Sequence, residues 1–157
     1  MENLSPGSTS LILFFVVILL IIPFIFYLIT LQNTLKVISP ENRRMTPSQV
    51  WLLLIPLFGI VWHFIMVSRI SDSIKSESLL RNIELKNSRP CYTIGLTMCI
   101  LNCISIFPKV AGILSSVATI GFLFCWIIYW YQIASYKRQI MNSSIITLDA
   151  ELYSSVN

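Results

Sequence analysis

The sequence predicts an all-α integral membrane protein, a four-helix transmembrane bundle. Three observations predict it. Hydrophobic residues make up 55% of the chain and charged residues only 11%, against roughly a quarter charged in an ordinary soluble protein. A soluble domain of this size needs a charged skin, and this composition cannot make one. The charges are also segregated: none lies between Glu2 and Lys36, from Met45 to Ser68, from Pro90 to Pro108 or from Val110 to Tyr136. Those stretches are apolar all round instead of on one face, which suits lipid and not a water-facing helix.

The first span is read at 11–31. At ~1.5 Å per residue it reaches about 31 Å, the thickness of the hydrocarbon layer. The start, MENLSPGSTS, has no basic residue, and the apolar run exceeds a signal-peptide core, so an uncleaved span is expected. Pro23 inside it predicts a kink. The loop that follows carries Lys36, Arg43 and Arg44. Thr46 is placed to cap the next helix, with Pro47 at its first position.

The second span, 50–68, opens with Trp51 and is interrupted by Pro56 and Gly59. This helix break leaves two readings, a kinked crossing or a segment that enters the membrane and returns. Four continuous crossings are the preferred reading. Beyond it, Val67, Ile70 and Ile74 are spaced by three and four, so the helix runs on out of the membrane, with Lys75, Glu77 and Arg81 on its wet side. The third span is 91–107, ended by Pro108, and the fourth 111–134. The fourth closes on Trp126, Tyr129, Trp130 and Tyr131, followed by Lys137 and Arg138. Aromatic rings beside cations mark a membrane–water interface, so Trp51, Trp126, Trp130, Lys137 and Arg138 are read as anchors. Residues 1–138 thus form one transmembrane domain, and 139–157 a flexible polar tail.

Four crossings put seven of the eleven lysines and arginines on the side shared by the two termini and four on the other. The rule that basic loops stay inside therefore favours N-in and C-in. A re-entrant second segment would sharpen the bias to ten against one, with the amino terminus outside.

The chemistry in the spans is sparse. No Asp, Glu, Lys or Arg lies within them, which argues against an ion-coupled pump. His63 lies roughly 9 Å inside the level of Arg69 at helical rise. Thr97 and Tyr131 fall near that depth, so a polar layer of His63, Thr97 and Tyr131 is expected, with a neutral, hydrogen-bonded histidine as its plain form. Asn102 should bond a neighbouring helix. Cys99 and Cys103 share a helix face, but their spacing is neither that of a zinc site nor that of a redox pair, and packing is the expected use of all four cysteines. On the fourth span, Ala111, Ser115 and Thr119 recur every four residues beside Gly112 and Ser116. Small residues so spaced form a helix-packing face, toward the third helix or toward a second copy. Asn142-Ser143-Ser144 matches a glycosylation triplet.

The stretch SPENRRMTPSQVWLLLIPLFGIVWHFIMVSRISDSIKSE, Ser39 to Glu77, resembles a segment of small uncharacterised bacterial multi-pass membrane proteins. Trp51, Ile55-Pro56, Trp62 and the apolar–polar helix through Ile74 carry the resemblance. It implies a bacterial inner (cytoplasmic) membrane location and no particular activity.

No catalytic constellation is visible, so no enzyme, no cofactor and no metal are expected, nor does the charge pattern suit nucleic acid. The expected partners are the lipid bilayer, a second copy or other membrane proteins. The function expected is that of a non-enzymatic accessory or scaffold subunit. The alternative is a small channel or transporter component with a passage past Pro56, Gly59 and His63.

Overall fold

The computed structural model describes residues 6–85, 87–106 and 112–156, and among them every regular element is helical. Helix α1 spans Pro6–Val37, a 3-10 turn Pro40–Asn42, a 3-10 helix Pro47–Leu54, α2 Phe58–Leu80, α3 Tyr92–Ser105 and α4 Ile113–Val156. All-α is therefore the fold class. Two segments, Ser10–Val37 and Ile113–Ile146, are long and apolar enough to cross a membrane, with mean hydropathies of 3.3 and 1.9. Helix α3 is apolar but short.

α1 is apolar for most of its length, and its backbone bonds run within the helix. It continues through Pro23. Its described residues before Pro23 are exposed, whereas Tyr27, Leu28, Leu31, Leu35 and Ile38 farther on are fully buried. The proline thus stands where α1 meets the rest of the molecule.

The second segment departs from the expected continuous helix. Thr46 caps it and Pro47 starts it as the sequence indicated, with Gln49 Oε1 accepting from the Thr46 N–H at 3.2 Å. The eight-residue helix is 3-10, however, and it stops at Leu54. Pro56 has no N–H to give the preceding turn. The chain then reverses at Leu57, whose φ of 62° and ψ of −51° form a γ-turn closed by the Phe58 N–H on the Pro56 carbonyl at 2.7 Å. This turn type is strained for a side chain with a Cβ.

The two limbs around that turn are antiparallel. Leu53 lies against Gly59, Trp62 Nε1 donates to the Gln49 carbonyl at 2.9 Å, and the Arg44 N–H donates to Ser73 Oγ at 2.8 Å. Nearest the open end, Asn42 Nδ2 donates to Glu77 Oε2 at 2.8 Å. The segment is therefore a hairpin, and Arg44 and Arg69 lie toward the same end of the molecule. The limbs meet closely because Gly59 has no side chain: a Cβ there would stand 2.5 Å from the Leu53 carbonyl oxygen.

The hairpin sets the direction of every helix. α2 runs parallel to α1, as the contacts of His63 with Tyr27 and of Glu77 with Ser39 require. α3 returns antiparallel, and α4 descends again with Trp126 and Trp130 beside Tyr27. α1 and α4 are thus parallel, and the start of α1 lies at the opposite end from the close of α4. Of the four expected crossings, two segments are long and apolar enough to span a membrane, so the four-helix transmembrane bundle is met only in its all-α class.

The α3–α4 pair also refines the small-residue face. Ser115 Oγ donates to the Ser105 carbonyl at 3.2 Å, and Ala118 is buried. Phe122, Cys125 and Tyr129 continue toward the core. Gly112, Ser116 and Thr119 are exposed, and Ala111 lies outside the described residues. A strict four-residue row drifts by about 40° per step around an α-helix, so it leaves a straight interface that alternate steps of three and four would follow. A true close approach lies elsewhere, at Gly95, where a Cβ would stand 2.5 Å from Val67 Cγ1 and 2.7 Å from Tyr129 Cε2. Finally, α4 does not stop at the aromatic residues but stays helical to Val156, so the stretch read as a flexible tail is helix.

Candidate functional site: the cavity at the hairpin tip

Tyr27 is the centre of the interior. It is fully buried, and its hydroxyl lies 3.2 Å from His63 Nε2. Trp126 meets its ring edge-on at 5.6 Å between centroids, Trp130 does so at 6.2 Å, and Tyr129 packs at 6.3 Å. Off-face ring contacts of this kind add about 0.5–1.5 kcal/mol each to simple burial. Trp130 Nε1 donates to Thr30 Oγ1 at 2.9 Å, and Trp51 Nε1 to Gln32 Oε1 at 3.3 Å. Trp126 and Trp130, both half-buried, therefore tie α4 to α1. Of the expected anchors, Arg138 is exposed and Lys137 half-exposed.

His63 does not join the polar layer that sequence depth suggested. Thr97 is exposed and spends its hydroxyl on its own helix, donating to the Thr93 carbonyl at 2.9 Å. Tyr131 is 75% exposed. Both side chains are turned away from His63. The partner that sequence reading missed is Tyr27. Its one signal was a hydroxyl near the inner end of an otherwise apolar run.

Above Tyr27, toward the γ-turn, is a cavity of about 240 Å³. The hairpin supplies Leu53, Pro56, Gly59 and His63 to its wall, α3 supplies Asn102, and Phe24, Phe122 and Trp126 close it from α1 and α4. Asn102 was expected to bond across to another helix. Among the described residues its side-chain amide has no hydrogen-bond partner, and it faces the cavity instead. No group of three metal-ligating side chains forms among the described residues, and all four cysteines are free thiols. The site can thus offer hydrogen bonds and an aromatic wall, but the described residues supply it with no fixed charge.

A second polar cluster ties the base of the hairpin. Glu77, whose side chain is fully buried, accepts from the Ser39 hydroxyl at 2.9 Å, the Ser39 N–H at 3.2 Å, Asn42 at 2.8 Å and Arg81 Nε at 2.7 Å. Arg81 in turn donates to Ser144 on α4. Burial alone would raise the Glu77 pKa, but the hydrogen bonds from Asn42, Arg81 and Ser39 outweigh it and hold the carboxyl below its ordinary value.

Comparison with protein-family models, with curated proteins and with solved structures finds no match for this chain.

Proposed function

We propose that the chain is an integral membrane protein with three crossings, α1, α3 and α4, and a re-entrant hairpin between the first two. We propose further that it serves as a non-enzymatic accessory or scaffold subunit. Membrane insertion is supported by surface. The most apolar windows of α1 and α4 are only 12% and 17% buried within the molecule. A soluble core helix would be covered, and so much exposed hydrocarbon needs lipid or a partner. The hairpin limbs suit a half-depth segment: eight 3-10 residues at ~2.0 Å each rise about 16 Å. α3 is short for a full bilayer, and local thinning or the residues beyond its end would make up the difference.

With this topology Lys109 alone faces one side, and the other ten basic residues face the opposite side. That bias supports N-out and C-in. The resemblance of Ser39–Glu77 to small bacterial membrane proteins supports the inner membrane as the location.

The observation that favours a subunit over a channel is the aromatic cluster. Tyr27, Trp126, Tyr129 and Trp130 fill the axis beneath His63, so a passage starting at the hairpin tip meets packed rings. The exposed row Gly112, Ser116 and Thr119 on α4 remains open to a partner helix or a second copy.

Single cysteines at Glu41 and Asn82, in an otherwise cysteine-free chain, test the topology. Both should react with an impermeant thiol reagent from the same side, and opposite-side labelling would overturn the hairpin topology. Purification in mild detergent tests the role. A stable complex with a second membrane protein or copy is expected, and a solitary monomer would remove the subunit reading.

A further inference from the structure

The hairpin-tip cavity borders a second space. Phe24, Phe122 and Trp126 in its wall are also walls of a larger opening of about 520 Å³ between α1 and α4, completed on α1 by Val17, Leu20 and Ile21. The two spaces share these three side chains and adjoin along them. The outer space is hydrocarbon in character and the inner one is not. Together they fall in the range of small-molecule sites, roughly 300–1,000 Å³.

The inner end holds unsatisfied hydrogen-bonding groups. His63 uses Nε2 toward Tyr27 and leaves Nδ1 without a partner among the described residues. The Asn102 amide and the Trp126 indole N–H are without partners there as well. Such groups are open to a hydrogen-bonding ligand in the cavity. The amide offers two donors and an acceptor and the indole one donor, and the free histidine nitrogen adds a donor or an acceptor according to tautomer. Donors of this kind suit carbonyl oxygens. No charged side chain lines either space among the described residues. A phosphate or ammonium head would lie there uncompensated, which the low-dielectric interior penalises heavily.

We infer that the two adjoining spaces together bind one uncharged lipid, its apolar chain along the α1–α4 groove and its carbonyl-bearing head against His63, Asn102 and Trp126. The inference rests on the membrane reading above. Quinone and diacylglycerol lipids share this chemistry, a neutral carbonyl head on an apolar chain.

The full-length protein in phosphatidylcholine nanodiscs, titrated by equilibrium dialysis with radiolabelled decylubiquinone and, separately, dioctanoylglycerol, tests it. Saturable binding of at least one probe, at one per chain, is expected, and the probe that binds identifies the head. Asn102→Leu and Trp126→Phe should each weaken that binding by about tenfold, as loss of a buried hydrogen bond does. Thr97→Val, on the exposed side of α3, should leave it unchanged. Asn102→Leu should fold as well as the wild type, since the amide has no partner to lose, and if it does not, Trp126→Phe decides. Wild-type affinity in the variants, no saturable binding of either probe, or equal competition by phosphatidylglycerol would overturn the inference. Alkaline carbonate extraction separates the two failures. Release from the membrane sinks the membrane reading, whereas a retained protein that binds neither probe sinks only the lipid site.

Discussion

Two prolines in this chain sit inside hydrophobic runs and meet opposite fates. α1 passes through Pro23 and remains one helix from Pro6 to Val37. At Pro56 the chain stops, turns through Leu57 and comes back as α2. A proline by itself removes one donor and crowds the preceding turn, a defect that apolar helices absorb. What makes Pro56 a reversal is its company. Gly59 lets the returning backbone pass close to Leu53, and Trp62 finds the Gln49 carbonyl across the gap. Glu77 then fastens the open end to Ser39 and Asn42. Around Pro23 no glycine or polar clamp of that kind is present. A break becomes a hairpin when both its tip and its base are held.

The sharpest way to break this contrast is at the tip. Gly59→Val places a branched side chain against the Leu53 carbonyl, which is backbone and cannot swing away. The hairpin should lose about 4 kcal/mol or more, within the class of severe overpacking defects, read as a large fall in melting temperature in detergent. A wild-type melting temperature would show that the limbs do not approach as described.

The base of the hairpin should matter somewhat less. Glu77→Gln removes the charge that Arg81, Asn42 and Ser39 address, at a cost of about 2 kcal/mol. Partial exposure of Arg81 keeps the figure toward the lower end for charged hydrogen bonds. The same carboxylate predicts a pH dependence. Its folded pKa is depressed, so its stabilisation is complete above the ordinary carboxylate range. It is lost as pH falls through that range toward the folded value. Unfolding curves of wild type and Glu77→Gln should therefore converge in acid, and parallel curves would contradict the assignment.

The smallest effects compare the two prolines directly. Leu57→Gly relieves the positive φ at the turn and should raise stability by about 1 kcal/mol. Pro23→Ala restores one donor in a helix that already tolerates the loss, and a change within about 0.5 kcal/mol is expected. A larger change at Pro23 than at Leu57 would reverse the comparison.

The helical class was legible in composition and charge spacing, because long uncharged apolar runs suit helices that satisfy their own backbone hydrogen bonds. So was the start of the second segment, where Thr46 and Pro47 carry local signals that act within one turn. The break at Pro56 and Gly59 was equally visible, as was the one histidine, His63. What a linear reading could not supply was the side of each helix that faces inward. Thr97 and Tyr131 are exposed and do not reach His63, and of the small-residue row Ser115 is buried while Thr119 is exposed. Uniformly apolar helices lack the polar face that would mark their orientation.

By itself, then, the sequence determined the helical class, the position of the break and the scarcity of charge along the spans, since these follow from residue chemistry and short-range sterics. Only the tertiary structure decided whether the break kinks or reverses. The γ-turn at Leu57 is strained, and contacts between residues far apart in the chain hold it: Gln49 with Trp62, Arg44 with Ser73, and Ser39 with Glu77. The same long-range packing turned His63 toward Tyr27 and left Asn102 facing a cavity, because burial is a property of neighbours and not of the residue.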